Sequence, residues 1–159
     1  MIEGPYLLLA VLGVLATGVM AGVFCAFSVL VVRGLAALPP AQGVAAMNAI
    51  NSSAVTPAFV IVFAGTAMLC TVIAVVTFVV WPAGAAVRLL LGSALYLVGA
   101  FGVTVAANIP RNAALLRLEA GGAERDAYWP SYVREWSRWN HVRALASVAA
   151  AGAYLLALL

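Results

Sequence analysis

Lysine is absent from this chain of 159 residues, and charged side chains of every kind make up only 8% of it. A water-soluble domain ordinarily carries about a quarter, so this scarcity excludes an ordinary soluble globule. A single histidine, His141, excludes a bis-histidine haem site within one chain. With only five acidic residues there is no carboxylate and histidine grouping suited to a di-iron centre. Cys25 and Cys70, the two cysteines, lie inside apolar runs and read as small buried thiols rather than a disulfide framework. Together with Met20 and Met68 they have no spacing distinctive of a soft-metal site. No phosphate-binding glycine loop, nucleophile elbow or zinc motif occurs. The reading therefore includes no metal and no cofactor. A positively charged leader is also missing, since Glu3 is the only charge before the first apolar run, which reads as a retained span rather than a secretory signal.

What is present is apolar: 66% of the residues are hydrophobic, and the mean hydropathy is +1.13. A run of ~20 apolar residues crosses the hydrocarbon core of a bilayer. Four such runs occupy 5–32, 58–81, 85–109 and 142–159. Backbone inside lipid must satisfy its own hydrogen bonds, and these runs lack strand alternation, so an all-α integral membrane four-helix bundle is expected as one domain over 1–159. The first run is longer than a bilayer requires and should tilt or project. Gly18, Gly22 and Ala26 recur every four residues on it, and Gly99, Gly102 and Ala106 place small residues on the third span. Close packing inside the bundle is the expected use of both sets.

The connections carry punctuation. After Leu38-Pro39-Pro40, residues 41–51 fit a short interfacial helix with Val44, Met47, Asn48 and Asn51 on one face. Thr56-Pro57 suits an N-cap and first-turn proline for the second span. The third connection is longer: Pro110 closes the third span, 111–120 is expected to continue as helix, and Gly121-Gly122 breaks it. Trp129-Pro130 is then expected to start a helix that runs directly into the fourth span.

The net charge of +3 and isoelectric point near 9.2 follow membrane side rather than nucleic-acid binding. Arg33 lies in the first connection and Arg111, Arg117, Arg125, Arg134 and Arg138 in the third, whereas the opposite side has Arg88 alone. The positive-inside rule then makes both of those connections cytoplasmic and both termini external, in a plasma membrane. Membrane lipids are the expected partners and nucleic acid is not; self-association into a homo-oligomer is left open.

An even number of spans brings the ends of the first and third helices to the same side as the starts of the second and fourth. Asn48 and Asn51, Asn108 and Asn112, and the segment Trp136-Ser137-Arg138-Trp139-Asn140-His141-Val142-Arg143 therefore converge on one mouth. With 3.6 residues per turn, Trp136, Asn140 and Arg143 share a narrow stripe. Asparagines can equally tie helix ends together, and tryptophan and arginine can anchor at headgroups. Arg143, however, lies within the start of a span, where an ionisable residue points to a functional site. His141 faces elsewhere on its helix, and as a lone residue reads more readily as an interfacial hydrogen-bonder than as a catalyst.

At these residues the chain resembles the anthrone-oxygenase-like family of small four-span membrane proteins. The resemblance is carried by Gly22-Val23-Phe24 with Phe27, Ala49-Ile50-Asn51, Asn108-Ile109-Pro110-Arg111-Asn112, and the segment from Trp136 to Arg143. It implies oxygen-dependent conversion of an aromatic polyketide anthrone to an anthraquinone without metal or flavin. On that reading Arg143 stabilises the developing oxyanion, while Asn48, Asn51, Asn108, Asn112 and Asn140 orient carbonyl and phenol oxygens. Trp136 or Trp139 covers the planar rings, and His141, water or the substrate's own phenolate takes the proton. An alternative from another class stays open: a non-catalytic membrane module that binds a lipid, a quinone or a partner protein through the same mouth.

Overall fold

The computed structural model describes residues 4–118 and 122–159. Among them there is no strand, and four helices are long and apolar enough to cross a membrane. Helix α1 spans Tyr6–Ala36, α3 Pro57–Val80, α4 Ala86–Arg117 and α5 Gly122–Leu158. The short helix α2, Pro40–Ser53, joins α1 to α3. Proline opens both α2 and α3, where its missing N–H costs nothing and its fixed φ fits. Thr56 holds the extended N-cap position of α3, but its hydroxyl donates back to the Ser53 carbonyl (2.8 Å) instead of accepting from the first turn. At the other end α3 stops at Trp81, the one non-glycine residue with a left-handed φ among the described residues.

Three of the spans run beyond the expected limits, because their polar ends continue as helix outside the apolar runs. Pro130 lies inside α5 instead of starting it. An interior proline removes a backbone donor, but Pro130 is exposed, Ser131 donates its hydroxyl to the Tyr128 carbonyl (2.7 Å), and Trp129, Tyr132 and Trp136 are anchored by burial on the opposite side. The break expected at Gly121-Gly122 falls partly on 119–121, outside the described residues, as does Glu3; Gly122 already begins α5.

The long helices form a ring in which α1 packs on α3 and α5, and α4 completes it between α3 and α5. Inside lie Met20, Phe24, Cys70, Ile73, Leu89, Tyr96 and Tyr154. Outside, a belt including Leu15, Ile61, Val79, Val98 and Leu145 is exposed, as lipid contact requires. Beyond the ring, the projecting ends of α1, α4 and α5 enclose a second cluster with α2, made of Val32, Val44, Met47, Leu115, Trp129, Tyr132 and Trp136. This cluster caps one end of the bundle. Gly43 lies so close beneath it that an added Cβ would sit 2.6 Å from the Trp129 ring.

The small residues divide differently from expectation. A Cβ on Gly99 would lie 2.4 Å from that of Ala146, so α4 and α5 cross in close contact there. Gly22 and Ala26 are exposed instead, and a Cβ on Gly18 or Gly22 would meet nothing. The inward face of α1 is the neighbouring stripe of Gly13, Thr17, Met20 and Phe24. Four-residue spacing reports that residues share a face, not which face. Cys25 and Cys70 are both free thiols, half-buried and buried.

Candidate functional site

Where the bundle meets its cap, a cavity of about 480 Å³ opens among all five helices. Its polar centre is Arg143, which is only 6% exposed although it lies within an apolar helix. The guanidinium is held edge and face. Nη2 donates to Asn140 Oδ1 (2.6 Å) and Nη1 to Thr104 Oγ1 (3.2 Å). Its carbon lies 4.5 Å from the Phe24 ring centre and 5.1 Å from that of Trp136. Nε has no protein partner, and no carboxylate pairs with Arg143 among the described residues. A buried cation in a membrane helix is costly unless paired or used. Here, among the described residues, it is oriented by neutral groups alone.

Asn140 is itself fixed. Its amide nitrogen donates to the Phe24 carbonyl (2.8 Å) and to Ser28 Oγ (2.7 Å). These acceptors sit where α1 widens into a π turn at Phe27–Val31, the kind of local widening that often accompanies functional sites. Two further π stretches, Leu95–Gly102 and Thr104–Asn108, precede Pro110 in α4. The Arg111 side chain there donates to the Ala107 carbonyl (2.8 Å). Thr104, Asn108 and Asn112 thus line the cavity from one four-residue stripe.

The structure brings Asn51, Asn108, Asn112, Trp136 and Arg143 together on the cavity wall. Asn112 Oδ1 accepts from both Tyr132 Oη and Trp136 Nε1 at 2.9 Å. The Asn108 amide nitrogen donates to the Trp136 carbonyl (3.4 Å), while its buried Oδ1 has no protein partner. Asn140 stands behind Arg143 rather than on the wall. Asn48 is buried in α2 one turn before Asn51, away from the lining. Trp139 is exposed, 5.9 Å beneath the Arg111 guanidinium, which pairs with Glu135 at 3.1 Å. His141 is exposed too and outside the lining, yet its Nδ1 lies 2.9 Å from Ser28 Oγ. A chain of contacts therefore runs from His141 through Ser28 and Asn140 to Arg143.

Several residues of the site were not among the expected site residues, although Phe24 and Phe27 were among those that carry the resemblance. Phe24, Phe27, Phe59 and Phe63 form the apolar wall, with Phe59 and Phe63 stacked at 6.0 Å and Phe24 edge-on to Phe63 at 6.4 Å. Thr104 was visible in principle, because it lies four residues before Asn108 as Asn112 lies four after. Ser28 carries no sequence signal, since its role depends on a helix distant in the chain. Among the described residues no three His, Cys, Asp or Glu side chains come together to hold a metal.

A family model described as anthrone oxygenase matches residues 58–153, more than half of the chain. The chain belongs to the anthrone oxygenase family. The matched region holds nearly all of α3, all of α4 and α5 as far as Ala153, and so contains Asn108, Asn112, Trp136, Asn140 and Arg143. In this anthrone oxygenase family member, α1 and α2 complete the cavity from outside the matched region with Phe24, Phe27 and Asn51. No curated protein and no solved structure matches the chain.

Proposed function

We propose that this protein is a membrane-embedded oxygenase that oxidises an anthrone-like or other polyphenolic aromatic with O2. The observation that carries the reading is Arg143, a buried cation with no carboxylate partner among the described residues, facing a cavity walled by phenylalanines. About 300–1,000 Å³ is the usual size of a small-molecule site, and this cavity falls inside that range. In this reading a flat ring system lies against the phenylalanine wall, with its oxygen toward Arg143.

In the proposed reaction the methylene carbon of the anthrone loses a proton, and the resulting enolate oxygen is stabilised by the guanidinium. The carbanion carbon passes its electrons to O2 and forms a hydroperoxide. Loss of the remaining hydrogen on that carbon and of hydroxide, together one water, leaves the quinone carbonyl. One oxygen atom of O2 enters the product and the other leaves as water. Asn51, Asn108 and Asn112 orient the carbonyl and phenol oxygens. Water or the substrate's phenolate takes the proton, and His141, outside the lining, serves to orient Ser28 and through it Asn140. The capped end faces the cytoplasm of a plasma membrane and both termini lie outside, as the arginine distribution favours.

Protein in lipid nanodiscs, given anthrone under ¹⁸O2, is expected to accelerate anthraquinone formation over protein-free discs and to place one labelled atom in the new carbonyl. A rate equal to that of empty discs contradicts the proposal.

A further inference from the structure

Helix packing walls much of the cavity. α5 packs along α4 through Thr104–Asn108 and Ile109–Arg117, α1 packs on both α3 and α5, and α2 lies across the top on α5 and the ends of α1 and α4. Contact between α3 and α4, by contrast, runs along Ala86–Gly102 and falls away beyond it. There the cavity wall reaches the surface through Ser53, which is exposed, and through Val55, Val60 and Ile109, which are 74%, 43% and 52% exposed. Apart from Ser53 the rim is apolar, although it lies next to the most polar part of the molecule.

We infer that the gap between the start of α3 and the end of α4 is a lateral opening through which a flat aromatic ligand enters from the bilayer, not from water. Val60 and Ile109 flank it on facing helices. An aqueous mouth would be rimmed by polar side chains, whereas a valine and isoleucine rim at the level where the spans begin matches acyl chains and the apolar edge of the interface. The aromatic wall of Phe59 and Phe63 continues inward from this rim toward Arg143, so a ring slides along apolar surface before its oxygen meets the cation. A phospholipid fits less well, since its phosphate would have to be drawn past this rim to reach the guanidinium. The choice of ligand rests on the proposed function; the place of the opening does not.

The test is the binding kinetics of 1-hydroxyanthraquinone, a coloured flat probe, to the protein in lipid vesicles. For Ile109→Trp, which narrows the gap, association and dissociation are both expected to slow several-fold. For Val98→Trp, on the lipid-facing side of α4 away from the gap, both rates should match the parent. Adding lipid at fixed total probe should slow association by diluting the probe within the bilayer. Unchanged rates in Ile109→Trp, association insensitive to lipid content, or absence of saturable binding would each overturn the inference. Binding through the gap without oxidation of anthrone would instead defeat the proposed reaction alone.

Discussion

Arg143 illustrates how a membrane helix carries a cation. Removing a guanidinium from water is expensive, and two rings and two oxygens replace part of its hydration. A hydrogen bond to a charged group contributes about 1.5–3 kcal/mol net, and a desolvated cation over an aromatic face about 2 kcal/mol. The Asn140 amide sets this geometry, since it bonds at once to Arg143, the Phe24 carbonyl and Ser28. Two substitutions separate charge from position. Asn140→Asp puts a carboxylate against Arg143 and neutralises it but loses the amide donor to the Phe24 carbonyl and Ser28, so anthrone-dependent oxygen uptake should fall sharply and the melting temperature should drop as well. Thr104→Val removes one 3.2 Å hydrogen bond and leaves the charge intact, so uptake measured the same way should fall by much less.

At the scale of helices, close approach and register decide what the residue patterns mean. Gly99 has no room for a side chain against Ala146. Gly99→Val should therefore push α4 from α5 and destabilise the bundle by about 1–3 kcal/mol, the usual cost of overpacking, seen as a lower melting temperature in detergent. Gly22→Ala adds a methyl where nothing stands, and its melting temperature should equal or slightly exceed the parent's. The apolar runs announced four helices because length and hydropathy act locally. Their inward faces were not legible, since Gly18, Gly22 and Ala26 obey the same spacing as a packed stripe. Pro130 misled for a related reason: a local stop signal yields when Trp129, Tyr132 and Trp136 are all drawn into one distant cluster.

For the whole molecule, convergence of the asparagines and Arg143 was legible from span parity alone, because topology places chain ends without knowledge of contacts. The aromatic wall, the role of Ser28 and the gap beside Ile109 were not, as each depends on which helices become neighbours. The proposed orientation has its own test. A single cysteine replacing Arg33, in a chain with Cys25 and Cys70 replaced by serine and alanine, should react with a membrane-impermeant maleimide in inside-out vesicles and not in right-side-out ones. Oxygen uptake with anthrone tests whether Arg143, which no described carboxylate pairs, stabilises the anion of a membrane-dissolved aromatic. The parent is compared with Arg143→Ala after equal thermal unfolding shows that both are folded. The variant is expected to lose about 10²-fold in kcat, the usual cost of deleting an oxyanion donor; equal turnover would contradict the claim.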